Sequence, residues 1–223
     1  MRKGLTKIHQ RLLRDTLGQV QHDNLVTYVS SLLPSTAAKV LDLGCGNGMF
    51  ASKLMSAKPG LQITGIEVTA QPNCLIDCHQ YGGNVVPFDD DSFDYVMLIN
   101  VLHHTDDPLH TLSEANRVAK RGILLKDHYA NTSFDFYTLV FMEWIGNTFS
   151  NINQPYNFFS EAQWQETFQK LNLATERLLT KFRSYNAVVD VFCGRNLHFI
   201  ALLSDAQKGA SGVDSSVTGA RIC

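Results

Sequence analysis

Apolar positions along this chain follow two periods. From Leu5 to Leu33 leucines and valines fall at three- and four-residue steps, which predicts a helix that Pro34 ends. Beyond it the pattern alternates. AKVLDLG (38–44) reads as a strand and NGMFASKLMSAK (47–58) as a helix closed by Pro59-Gly60. LQITGIEV (61–68) is a second strand, and FDYVMLINVL (93–102) has the unbroken apolarity of a buried one. Asp107-Pro108 then offers an N-cap and a preformed first turn to the helix DDPLHTLSEANRVAK (106–120). RGILLKDH (121–128) is another strand, and SEAQWQETFQKLNL (160–173) a helix capped by Ser160. ATERLLTKF (174–182) and NLHFIALLS (196–204) supply the last strands. Strands alternating with helices over short turns predict a doubly wound, mostly parallel α/β sheet covered on both faces.

Two segments fall outside the alternation. Residues 129–160 interrupt it, and the stretch 129–168 carries twelve of the chain's aromatic residues (Phe 13, Tyr 7 and Trp 2 in all), too many for a solvated linker. Phe134, Tyr137, Phe141 and Trp144 recur at helical steps, so they share one face, predicted either to dock on the core or to line an apolar acceptor pocket as a lid. The small, polar stretch 209–223 is predicted to be disordered. The expected organisation is an N-terminal helical segment (1–36), one α/β domain (37–208) with a lid insert at 129–160, and the tail.

Composition narrows the partners. Of 223 residues, 44% are hydrophobic and the formal net charge is -2, with no basic stripe, so no nucleic acid is expected. The longest apolar runs fall well short of a bilayer span, so no membrane is expected either. The five cysteines (45, 74, 78, 193 and 223) are odd in number and scattered, which suggests no disulfide framework and a cytoplasmic location. Cys74, Cys78 and His79 lack a matching second ligand pair, so no metal is expected.

The chemistry concentrates in KVLDLGCGNGMF (39–50), where a strand runs into Gly44, Gly46 and Gly48. Glycines in a first strand–helix turn let backbone approach a ligand that a Cβ would exclude. A dinucleotide fingerprint wants a small residue where Met49 stands. Asp42 argues further against a pyrophosphate, which it would repel, and for a cationic ligand. S-adenosylmethionine carries both an ammonium and a sulfonium. Glu67, at the end of the second strand, is placed to accept from two ribose hydroxyls.

VLDLGCGNG, Glu67 and VPFDDDSFDYVMLINVLHHTDDP together resemble the class I S-adenosylmethionine-dependent methyltransferases, over about residues 38–128. The resemblance implies a Rossmann-like seven-stranded sheet with its last strand antiparallel, and methyl transfer. It implies cofactor contacts from Asp42, Gly44, Cys45, Gly46, Gly48 and Glu67, and from Asn100 and Val101 at the end of the fourth strand. Gly82 stands where such proteins often have an adenine-contacting Asp, so Gly82 and Gly83, or Asn84, are expected to take over that contact. Lys126-Asp127-His128 closes the fifth strand at the ligand edge. His128 is the first candidate for a general base, with Asp127 beside it and His103 the second. The expected partner is a small, partly apolar molecule. An alternative is the same fold binding S-adenosylmethionine without transferring the methyl group.

Overall fold

The computed structural model describes residues 20–34, 36, 38–69, 71, 73–147, 155–183 and 196–208. Helix α1 (20–32 as described) precedes β1 (Ala38–Leu43), α2 (Met49–Ala57), β2 (Leu61–Glu67), β3 (Asp77–Gln80) and β4 (Phe93–Ile99). A 3-10 turn (Leu102–His104) leads to α3 (Pro108–Val118) and β5 (Ala119–His128). After α4 (Ser133–Asn147) and α5 (Glu161–Lys170) come β6 (Leu173–Leu179) and β7 (His198–Asp205).

The seven strands lie in the order β3-β2-β1-β4-β5-β7-β6. All pairings are parallel except those of β7, which runs antiparallel to β5 and β6. Both the strand count and the reversed strand match expectation. β1 sits where the order turns back, between β2 and β4, and open α/β sheets bind ligands beyond the strand ends at such a switch point.

Alternate residues of each strand feed two apolar layers. On one face Leu41, Leu43, Val96, Leu98 and Leu125 pack with Leu112 and Ala115 of α3 and Trp164 and Phe168 of α5. On the other, Val40, Ile63, Met97 and Leu124 meet Leu25 and Val29 of α1 and Phe50 and Leu54 of α2. The period-2 side-chain alternation of a strand explains why so apolar a run as β4 serves both layers. The caps read from the sequence are in place: Asp107 accepts from His110 N at 2.9 Å with Pro108 next, and Ser160 and Gln163 form a reciprocal capping box.

Three expectations need correction. β3, the polar run Asp77–Gln80, was not apparent from apolar periodicity. Cys74 and Cys78 are joined in a disulfide, against the expectation of unbridged cysteines; Cys45 is a free, buried thiol. Phe134, Tyr137, Phe141 and Trp144 do share one face of α4, but that face points outward, each residue being 55% exposed or more. The packed side carries Leu139, Phe136 and Val140, which close on Phe158 and Leu197. The proposed tail (209–223) and residues 1–19 lie outside the described residues. No helix among the described residues is long and apolar enough to cross a membrane.

Candidate functional site

Beyond β1 the chain turns through three left-handed glycines, Gly44 (φ 78), Gly46 (φ 53) and Gly48 (φ 73). They serve different ends. A Cβ on Gly44 would lie 2.7 Å from Val101 Cγ2, and one on Gly48 2.8 Å from Ile76 Cγ1, so both are glycine because protein crowds them. A Cβ on Gly46 would meet nothing within 4 Å, so its surroundings are open. Gly46 N donates to Glu67 Oε2 at 2.9 Å, and Val68 N donates to Glu67 Oε1 at 2.8 Å, so Glu67 clamps the turn to the end of β2.

Asp42, 3% exposed, stands beside this turn. Burial, and then the charge of Glu67, push its carboxyl up to about 8. An acid left in that state is a poor structural element and a good receptor for a cation. Cys45, inside the turn, has its thiol pushed up to about 12, by burial first and then by Asp42 and Glu67, so it is no nucleophile at neutral pH. Gly83 (φ 84) lies against Val68, just beyond β2, and a Cβ on Gly82 would meet nothing within 4 Å. The Asn84 carbonyl accepts from His110 Nε2 at 3.0 Å. The loop that follows is held by Arg117, which donates to Val86 O, Phe88 O, Asp90 and Glu114.

The strand ends β4 and β5 carry a second, polar cluster. Asn100, in the left-handed conformation that Asn tolerates, donates its N–H to Lys126 O at 2.9 Å, and its Oδ1 accepts from Lys126 Nζ. Lys126, Asp127, His128, His103 and His198 are all buried. His103 Nδ1 meets Asp127 Oδ1 at 2.7 Å, and His128 Nδ1 reaches the same oxygen at 3.2 Å. Glu143 of α4 comes within 3.5 Å of His103 Nε2 and, with its other oxygen, within 3.5 Å of His104 Nε2. Phe158 stacks on the His103 ring at 5.3 Å.

Charges in this cluster divide sharply. Burial and then the nearby Lys126 hold His128 down at about 3, so its ring is neutral. Burial also works against charge on His103, but the charge and hydrogen bond of Asp127, with those of Glu143, raise it to about 9. Asp127 is likewise opposed by burial and held well below the usual carboxylate range by His103 and then His128. Lys126 is lowered to about 8, burial outweighing its attraction to Asp127 and Glu143.

The sequence-predicted residues thus form two neighbouring groups. Asp42, Gly44, Cys45, Gly46, Gly48 and Glu67 make one, with Val101 packed on Gly44; His103, Asp127 and His128, with Asn100, make the other. Glu143 and Phe158 were not singled out beforehand. Glu143 was legible only as the one acid on the inward side of an apolar helix, hidden because the aromatic spacing drew attention to the opposite face.

A doubly wound sheet with a glycine turn and a buried acid at its switch point defines a ligand-binding α/β domain. The family pattern described as a methyltransferase domain matches residues 17–178, and the chain belongs to that family. Over 112 residues the chain is 30% identical to 27-O-demethylrifamycin SV methyltransferase of Amycolatopsis mediterranei, covering 44% of this chain and 41% of that one. Against ubiquinone biosynthesis O-methyltransferase of Actinobacillus pleuropneumoniae the identity is 28%, over 46% and 50% of the two chains. The matched region spans from 23% to 66% of the length of such curated relatives. Magnesium protoporphyrin IX methyltransferase from Synechocystis shares the fold with a TM-score of 0.57, at 15% identity over 89% of this chain and 84% of that one.

Proposed function

We propose that the chain binds S-adenosylmethionine at the β1 turn and transfers its methyl group to a small, partly apolar acceptor held at the ends of β4 and β5. The observation that carries this reading is the pairing of a buried Asp42 with the open space at Gly46: a cationic ligand with bulk beside the backbone answers both. Bound there, the cofactor would supply an already activated methyl group on its sulfonium. Asp42 would meet the cationic end, the Gly44–Gly48 turn would lie along the ligand, and Glu67 would present its carboxylate to the ribose side. Asn100, Val101, Gly82 and Gly83 would border the same ligand. The rifamycin and ubiquinone relatives, by their names, support a small-molecule acceptor.

The chain's remaining task is positioning, which converts an encounter into an in-line attack. Of the two histidines considered for proton transfer, His128 is the less suited as a base. Its Nδ1 is engaged by Asp127 and its Nε2 lies 3.5 Å from Lys126 Nζ. His103 is better oriented, with Asp127 behind its Nδ1 and its Nε2 turned toward α4, so we place the acceptor on its side of the cluster. Calorimetry with S-adenosylmethionine and, separately, NAD tests the cofactor. Mass spectrometry of phenolic and quinol acceptors incubated with the protein and cofactor tests transfer. Tight binding of NAD alone would overturn the cofactor assignment. Binding of S-adenosylmethionine with no methylated product and no S-adenosylhomocysteine would favour the non-transferring alternative.

A further inference from the structure

His103 is 1% exposed; its Nδ1 is anchored on Asp127 at 2.7 Å, whereas its Nε2 makes no well-formed hydrogen bond and only faces Glu143 Oε1 at 3.5 Å. Buried ring nitrogens are normally satisfied, so this one asks for a ligand. Around it, His103 Nε2, His104 Nε2 and a Glu143 oxygen all lie within 4.8 Å of one another. Two separations are 3.5 Å, His103 Nε2 to Glu143 Oε1 and His104 Nε2 to the other carboxylate oxygen, Oε2. Ligand atoms about 2.0–2.2 Å from a tetrahedral ion stand about 3.4 Å apart, so each histidine lies at a suitable distance from the carboxylate to share such an ion with it. The hydrogen bonding behind the site agrees. A metal-bound imidazole usually gives its other N–H to a carboxylate, which fixes the ring and raises its donor strength, and Asp127 stands in that place. Two carboxylates, Asp127 and Glu143, also balance the charge of a dication.

We propose that His103 Nε2, His104 Nε2 and the Glu143 carboxylate bind a divalent transition-metal ion of the zinc type, with Asp127 as the positioning residue behind His103. Imidazole and carboxylate donors suit zinc, cobalt or iron better than magnesium or calcium. Two other groupings have comparable spacing and are poorer hosts. His103, Asp127 and His128 face an ammonium, since Lys126 Nζ lies 3.5 Å from His128 Nε2. Cys45, Cys74 and Cys78 contain the Cys74–Cys78 disulfide, whose sulfurs are not thiolates. Three protein ligands leave a fourth position open on the ion, where a bound hydroxyl or water becomes easily deprotonated. The ion would also tie α4, which supplies Glu143, to the sheet end that supplies the histidines.

The test reads metal binding, so its outcome is independent of whether methyl transfer occurs. Tag-free, chelator-stripped full-length protein is titrated with Zn²⁺ by calorimetry in two buffers, and with Co²⁺ by visible absorption. The expected result is one ion per chain, protons released on binding, and cobalt d–d bands without an intense sulfur charge-transfer band. Glu143→Gln and His104→Ala should each weaken zinc binding at least tenfold, and Asp127→Asn by about 10–100-fold. Parent protein that binds no zinc overturns the proposal, as does a cobalt spectrum dominated by sulfur. So does zinc binding unchanged in folded Glu143→Gln. Should a variant fail to fold, the stoichiometry and cobalt spectrum of the parent decide alone.

Discussion

Replacing Asp42 with Asn should stabilise the ligand-free protein and abolish its affinity for S-adenosylmethionine. The carboxyl titrates at about 8 in the fold against 3.8 in the unfolded chain. The folded state therefore holds more protons than the unfolded state between about pH 4 and pH 8, so stability falls as pH rises through that window and levels off above it. Each pK unit is worth about 1.4 kcal/mol, so the carboxylate costs ~4 kcal/mol at pH 7 and ~6 kcal/mol above pH 8. Asn removes that cost but leaves an amide to be satisfied, at about 1–3 kcal/mol. A net gain of about 3 kcal/mol at pH 8.5, shrinking to nothing or to a small loss near pH 4, is expected. The difference between variant and parent isolates Asp42 from His103 and Lys126, which titrate in overlapping ranges.

The same shift predicts linkage to the ligand. If the cation needs the ionised carboxylate, parent binding at pH 7 releases close to one proton, and affinity rises about tenfold per pH unit up to about pH 8. Urea denaturation across pH 4–9 and calorimetry in buffers of different ionisation enthalpy measure both effects. Equal affinity for the ligand in Asp42→Asn and parent would refute the cofactor site. A stability difference that does not vary with pH would refute the account of the buried charge.

Gly44→Ala adds a clash with Val101 to its left-handed strain and should cost about 2–5 kcal/mol of stability, whereas Gly46→Ala meets no protein atom and should cost only its left-handed strain, about 1–2 kcal/mol, while weakening ligand binding more. Melting curves beside calorimetry separate the two; a branched residue such as valine at Gly46 confounds them, since its backbone has φ 53. His128→Ala should lower stability by about 1–3 kcal/mol, because Lys126 and Asp127 each lose a buried partner, and should leave the acidic limb of any pH–rate profile in place; disappearance of that limb would restore His128 as the base. Arg117→Ala frees the loop carbonyls of Val86 and Phe88 and should speed proteolysis there, read by limited digestion, with a stability loss of about 1–2 kcal/mol.

How much was legible follows from what each element uses to hold itself. β1, β2, β4, β5 and β7 are buried and apolar, so their periodicity announced them. β3 is Asp-Cys-His-Gln at the edge of the sheet, mostly exposed, and its pairing with β2 is a backbone matter that leaves no apolar mark. The α3 and α5 starts were legible because capping is local chemistry between residues three apart. The outward face of α4 was not, because helical spacing says which residues share a face and never which way that face points.

The glycine turn was legible as the turn between β1 and α2, where all three glycines have positive φ, yet spacing could not rank them. Only the surroundings separate Gly46, open to a ligand, from Gly44 and Gly48, pressed against Val101 and Ile76. The same limit explains the histidines. His103 and His128 lie 25 positions apart in the sequence, and both follow apolar strands, so position alone favours neither. What separates them is long-range: Lys126 and Asp127 occupy the nitrogens of His128, while Glu143, forty residues beyond His103, comes to its Nε2 from another element. A site built by one continuous turn can be read from its own letters; a site assembled from β4, β5 and α4 acquires its chemistry only when the chain closes.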